Sequence, residues 1–260
     1  MISRSSAFSY QSGVTLVELA IVLVIISLLT VGGLKTFQNQ REQVRYSDSQ
    51  QYLDQIKQAL LSFASVNLYL PCPDSDADGN ENRAGNGTCS AVEGGVPFLD
   101  IGLRQAEVKD GFGADILYRV NAQTTNLAAM QDNAQSASYF CNSTCTAGTL
   151  PQFDLNTPPV AANNGVGNGQ VCAKAQANCT NASVMTYDAA SVVLVAANQK
   201  GALSCNNRPA EEQENCDGDA LFWQGDFRAV SSGFFDDTVL GVTGYEIKQN
   251  LLNARPAIFD

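Results

Sequence analysis

Gly13-Val14-Thr15-Leu16-Val17-Glu18-Leu19 opens an apolar run that continues to Leu34. From Val14 to Leu34 there are 21 residues, and Glu18 is the only charged one among them. At ~1.5 Å of rise per residue, a helix over this run spans roughly 30 Å, the thickness of a bilayer core. A carboxylate inside such a segment costs at least ~2.5 kcal/mol unless something neutralises it. Glu18 therefore reads as a functional residue. Residues 1–13, directly in front, are short and polar, with Arg4 as their one basic side chain.

A secretory signal peptide keeps its apolar region upstream of the cleavage site. Here the apolar run follows Gly13, so a cut at that glycine would leave the anchor on the mature chain. This order of polar leader, glycine, apolar run and early glutamate resembles the N-terminus of type IV pilin-like precursors. The resemblance implies that a prepilin peptidase cuts the Gly13–Val14 bond and that the new amino terminus is methylated. It also makes Glu18 the glutamate at the fifth mature position. Two features depart from the pattern: Val14 stands where phenylalanine is commoner, and the leader is poor in lysine and arginine.

The α-amine of Val14 would be the nearest positive charge able to neutralise Glu18 in the apolar phase. Pairing within one chain or with the next subunit of a filament would relieve both desolvation costs. The resemblance favours the intermolecular pair, which would set subunit register during assembly. The other reading is an ordinary signal anchor with a glutamate near the interface. Lys35, Arg41 and Arg45 all follow the segment, so the positive-inside count does not orient it.

Composition narrows the function. Without residues 1–66, roughly 190 residues remain, enough for one domain with a real core. The net charge is −11, and −12 once Arg4 leaves with the leader. That balance argues against nucleic-acid binding, which needs basic patches. There is no histidine, which removes Ser-His-Asp and Cys-His chemistry and histidine-ligated metals. No motif points to lysine or carboxylate catalysis, so the chain is not expected to be an enzyme.

The helix is expected to continue beyond the apolar run to about Val66. Leu53, Ile56, Leu60 and Phe63 recur at three- and four-residue spacing, one apolar face. Gly32-Gly33 is a place where it would bend or pack closely. Pro71-Cys72-Pro73 ends it and starts the head. Further on, Asp110-Gly111-Phe112-Gly113 is a glycine turn, and Ile116, Tyr118 and Val120 alternate as one face of a strand. That turn and strand resemble the ones opening the sheet in many pseudopilins and minor pilins. Val184–Tyr187 and the continuous apolar run 192–197 read as strands, the second buried, with 198–201 as a turn. Residues 234–240 return to strand character, while 121–181 read as an insertion low in charge.

Two acidic stretches suggest calcium. In Asp74-Ser75-Asp76-Ala77-Asp78-Gly79-Asn80, carboxylates at alternate positions and a turn glycine match the opening of an EF-hand loop. The twelfth position is Gly85 rather than glutamate, and no helix pattern follows, so an EF-hand is not expected. Asp74, Asp76, Asp78 and Asn80 then belong to a calcium loop closed by a distant carboxylate, or to a solvated turn pinned by a Cys72–Cys89 disulfide. Glu214, Asn215, Asp217 and Asp219 form the second candidate set, with a solvated acidic loop as its alternative.

Eight cysteines, Cys72, Cys89, Cys141, Cys145, Cys172, Cys179, Cys205 and Cys216, all follow the apolar run. Their even number in a Gly/Asn-rich region suggests an oxidising compartment and up to four disulfides, with 105 possible pairings. Zinc is the competing use, but no Cys-x-x-Cys pair occurs. The resemblance implies that Cys205 and Cys216 could close a C-terminal loop like the disulfide-bounded loop of pilins.

The expected fold class is α+β: a long N-terminal helix packed on an antiparallel sheet head with disulfide-pinned insertions. The divisions are a leader (1–13), a transmembrane and assembly half (14–34), a periplasmic half of the helix (35–66) and a globular head (67–260). The resemblance implies a structural subunit, a minor or tip-associated pilin, held in the inner membrane with its head in the periplasm. Its partners would be prepilin peptidase, other pilin subunits and the inner-membrane assembly machinery; it would end in a cell-surface pilus or a periplasmic pseudopilus. A type II secretion pseudopilin is the neighbouring reading. A membrane-anchored, calcium-dependent adhesin that never polymerises is the rival of another class.

Overall fold

The computed structural model describes residues 13, 15–67, 69–84, 89–121, 169–173, 185–228 and 233–254. The insertion therefore lies largely outside the described residues, with Cys141, Cys145 and Cys179. The chain falls into two compact units, Met1–Val44 and Arg45–Asp260. The boundary lies inside a single helix, α1, which runs Leu16–Asn67 and carries Gly32-Gly33 without interruption.

In the second unit, α1 buries one face. Leu53, Ile56, Leu60 and Ala64 are at most 2% exposed. Full burial of a leucine or isoleucine stabilises by about 1.5–3 kcal/mol, so this stripe is a major part of what holds helix to head. It packs with Ile116, Tyr118 and Val120, with Val192, Leu194 and Ala196, and with Val242, Ile247 and Leu251. The expected helical face thus meets the strand face through Leu53, Ile56 and Leu60, while Phe63, also expected on it, is only partly buried and packs edge-on against Tyr69, with Ala64 in the core in its place.

Among the described residues six strands form one sheet: β1 Glu93–Gly95, β2 Leu117–Val120, β3 Gly169–Cys172, β4 Met185–Ala196, β5 Leu221–Trp223 and β6 Thr238–Thr243. The order is β1-β2-β4-β3-β5, with β6 also paired to β4. One long strand, β4, replaces the two expected runs and pairs antiparallel with β2, β3 and β6. Its apolar residues face two ways. Val192, Leu194 and Ala196 join the core under α1, and Val193 and Val195 join Val171, Phe222 and Val239 in a second cluster. Burial on both faces is why the strand reads as a continuous apolar run instead of an alternating one.

The sheet is mixed, which corrects the antiparallel expectation. β5 lies parallel to β3, with Gln170 opposite Leu221 and Cys172 opposite Trp223. A parallel pair needs a long crossover, and the chain supplies one by passing through β4 and the Cys205–Cys216 loop before returning as β5.

A second helix, α2 (Gly244–Ala254), leaves β6 directly. Thr243 and Glu246 form a reciprocal cap: Thr243 N donates to Glu246 Oε2 (2.8 Å) and Glu246 N to Thr243 Oγ1 (3.2 Å). Asn250 then donates to the Leu61 carbonyl and Ser65 hydroxyl of α1 (2.9 and 3.0 Å). Lys57 of α1 pairs with Glu246. α2 thus packs beside α1 against the same core.

Candidate functional site

The first unit is built around the N-terminus of α1. Thr15 precedes the first helical residue, Leu16, and Glu18 stands three residues after Thr15. Glu18 N donates to Thr15 Oγ1 (3.3 Å), and Thr15 N and Oγ1 reach back to Glu18 Oε2 (3.4 Å each). This is a capping box at long distances. It gives Glu18 a local structural role besides charge pairing, one whose sequence signal is Thr-x-x-Glu ahead of an apolar run. Gly13 is exposed and has open space around its α-carbon. Val14 lies outside the described residues.

Beyond the cap, residues 16–29 are apolar on every side, from Val22 at 49% exposed to Leu16 at 86%. The polar Ser27 returns its hydroxyl to the Leu23 carbonyl (2.7 Å), so it presents no free donor. A helix apolar all round is normally covered by lipid or by other helices, and an exposed apolar surface of this extent marks an interaction site. Among the described residues no helix is long and apolar enough to cross a membrane. The side chains of 30–39 lie outside them, and residues 16–29 alone fall short of the roughly 20 that a span needs.

In the head, the sequence-predicted ligands separate into two kinds. One carboxylate oxygen each from Asp74, Asp76 and Asp78 lies within 4.8 Å of the others. Asp74 is buried and also closes the loop: Oδ1 accepts from Asp76 N and Ala77 N, and Oδ2 from Gly79 N (2.8 Å). Ala77 and Gly79 hold positive φ (64° and 91°), and a Cβ on Gly79 would lie 2.4 Å from the Phe98 ring. Only glycine fits there. Asn80 contributes its backbone N–H to Asp78 Oδ1 (2.7 Å). The loop base is tied by the Cys72–Cys89 disulfide and by Glu81, which accepts from Cys72 N (2.9 Å) and pairs with Arg83.

Glu214, Asn215, Asp217 and Asp219 are not brought together. Asn215 points inward and is fully committed: its amide donates to the Trp223 carbonyl and Asp237 Oδ2, and its oxygen accepts from Trp223 N. Asp217 and Asp219 point outward and cap successive turns, accepting from Asp219 N and Leu221 N. Burial, then the charges of Asp217 and Asp219, raises the pKa of Glu214. The sequence located an acidic loop, and alternation along the chain sent its members to opposite sides. Cys205 and Cys216 are bridged across this loop, and Cys172 is disulfide-bonded to a partner outside the described residues.

A polar junction that composition gave no hint of fixes α1 to the head. Ser49, fully buried, donates to Asn198 Oδ1 (2.7 Å) and accepts from Gly111 N (2.9 Å). Asn198, at φ 47°, donates in turn to the Asp236 carbonyl and to Thr238 Oγ1. Asp110 Oδ1 accepts from Phe112 N and Ala114 N (2.9 Å each), which shapes the glycine turn under the helix.

Residues 8–34 match the prokaryotic N-terminal methylation motif, the type IV pilin/pseudopilin signature. No curated protein and no solved structure matches the chain. The motif belongs to structural subunits that are processed by a prepilin peptidase and assemble with other pilin subunits.

Proposed function

We propose, from the type IV pilin/pseudopilin signature at residues 8–34, that the protein is a minor or tip-associated subunit of a type IV pilus-like filament. The observation that carries this reading is the N-terminus of α1, where a capped glutamate sits ahead of a helix apolar on every side. Prepilin peptidase cuts Gly13–Val14, and the precursor waits in the inner membrane through residues 14–34, with the head in the periplasm. The assembly machinery then transfers the helix from lipid to a bundle of other subunits' helices. Both environments cover the same apolar surface, so the transfer costs little. Glu18 pairs with the methylated Val14 amine of a neighbour and sets register. Mass spectrometry of the mature chain is the test, with a methylated Val14 terminus expected.

Chain length and the insertion favour a specialised subunit over a bulk one. Calcium enters this reading at Asp74, Asp76 and Asp78, whose oxygens converge. Asp76 and Asp78 are exposed, which suits the 10⁻⁴–10⁻³ M affinities of extracellular calcium modules. Titration with millimolar calcium should give a weak-binding phase of heat that the paired change Asp76→Asn with Asp78→Asn removes, any tighter calcium heat being left in place; an unchanged isotherm would place the weak calcium elsewhere.

A further inference from the structure

A second carboxylate cluster lies where the helical turn Ala210–Gln213 meets the segment leading into β6. Glu212, Asp236 and Asp237 are 0%, 4% and 5% exposed. One carboxylate oxygen of each lies within 4.8 Å of the other two. They come from positions 24 residues apart in the chain and were not among the predicted ligands.

Each carboxylate is held by one oxygen. Glu212 Oε1 accepts from Asp236 N (3.1 Å), and Asp237 Oδ2 from the Asn215 amide (2.9 Å). Asp236 Oδ2 accepts from the Tyr46 hydroxyl (2.8 Å) and Gln199 N (3.0 Å). The second oxygens, Glu212 Oε2, Asp236 Oδ1 and Asp237 Oδ1, are buried with no hydrogen-bond partner among the described residues. The nearest cations do not fill that role. The Lys200 ammonium lies over the Phe234 ring (5.1 Å), and Arg208 donates to the Gly201 and Leu203 carbonyls. Asp110 adds another buried, half-unpartnered carboxylate that repels Asp237. Burial, reinforced by Asp237 and Asp236, pushes Glu212 up to about 8, and burial pushes Asp237 up to about 7.

The Asp236 and Gln199 backbone N–H groups, the Tyr46 hydroxyl and the Asn215 amide donate to the three, while the carboxylates also face one another and the Glu212 and Asp236 side chains are hydrogen-bonded to each other when Glu212 holds a proton. Three converging, buried oxygens with no hydrogen-bond donor among the described residues, offset only in part by the charges of Lys200 and Arg208, match the ligand set of a hard cation. Magnesium demands a regular octahedron and retains waters, whereas calcium accepts irregular, all-protein oxygen shells. We propose that Glu212, Asp236 and Asp237 bind a calcium ion that locks the disulfide-bounded 205–216 loop and the start of β6 onto α1 through Tyr46. The inference concerns the head alone and is independent of processing and assembly.

The experiment uses the full chain in detergent, stripped of metal with a chelator. Calcium at a hundredfold excess over its Kd should raise Tm by roughly 5–10 °C. Glu212→Gln and Asp237→Asn should abolish that rise, yet melt in chelator no lower than the unsubstituted chain, because each removes a buried repulsion. The Asp76→Asn, Asp78→Asn pair should keep the rise. Trp223 is the only tryptophan and is bonded through its backbone to Asn215 beside Asp237. Terbium added to the unsubstituted chain should therefore emit under tryptophan excitation, and calcium should displace it. Any other pattern overturns the proposal: no calcium shift, a shift that survives Glu212→Gln, a shift lost in the loop pair, or no sensitised terbium emission.

Discussion

Replacing Glu18 by alanine is expected to lower incorporation into filaments more than about tenfold, and replacing it by glutamine should do nearly the same. Glu18 has two candidate roles, and the pair of substitutions separates them. As a capping residue, Glu18 answers Thr15 at the first turn of α1. Glutamine serves in that box as well as glutamate, and loss of a cap costs about 0.5–2 kcal/mol. As an intramembrane charge, it needs a cation, and a neighbour's amine needs it in return. An uncompensated charge at that depth costs at least ~2.5 kcal/mol, above the ~1.4 kcal/mol that makes a tenfold change. Sheared surface filaments quantified against total membrane protein give the readout. Normal incorporation of Glu18→Gln would assign the residue to the cap and remove the register role.

Replacing Gly111 by alanine is expected to destabilise the head by about 3 kcal/mol, the upper end of the range for overpacking. A Cβ at Gly111 would lie 1.9 Å from the Arg45 carbonyl oxygen, with the carbonyl carbon at 2.6 Å. The obstacle is helix backbone, which cannot swing aside as a side chain can. Relief requires lifting α1, and that breaks the bonds from Gly111 N to Ser49 and from Ser49 to Asn198. For a domain of this size, Tm should fall by roughly 6–12 °C. Gly113 is the control. It has φ 91° and open space around it, so Gly113→Ala costs only the left-handed backbone penalty, roughly 1–2 kcal/mol. Thermal melts should rank Gly111→Ala well below Gly113→Ala, and the reverse order would mean the turn is shaped by its own backbone and not by the helix above it.

These two glycines show how far the sequence could be read. The motif Asp110-Gly111-Phe112-Gly113 announced a turn, because aspartate and glycine there have a local reason. That the first glycine exists to admit a helix 62 residues earlier in the chain has no local trace. The same division runs through the rest of the fold. The α1 stripe of Leu53, Ile56 and Leu60, the Tyr118 face and the two-sided burial of β4 were legible, since each is written in the spacing of neighbouring residues. The parallel β3–β5 pair was not, because it depends on where the chain returns after a long excursion.

Charged clusters followed that rule most closely. Proximity in sequence singled out Glu214, Asp217 and Asp219, but the buried members are Glu212, Asp236 and Asp237. A faint signal existed: Asp236-Asp237 stand between Phe234-Phe235 and the apolar Val239-Leu240, where a solvated loop would place few large apolar side chains. Glu18 stands out by its charge, whereas the capping role of Thr15 is masked by the apolar residues around it.

The central claim is that this chain is cut at Gly13–Val14 and that the cut itself creates the amine that neutralises Glu18. The precursor has no such amine in the apolar segment, so processing would be what makes assembly electrostatically permissible. Intact-mass and N-terminal peptide mass spectrometry of the protein recovered from membranes with its processing machinery tests this most directly. The account predicts a chain beginning at Val14 with one added methyl group on its amine. A chain still beginning at Met1, or one cut downstream of the apolar run, would contradict it.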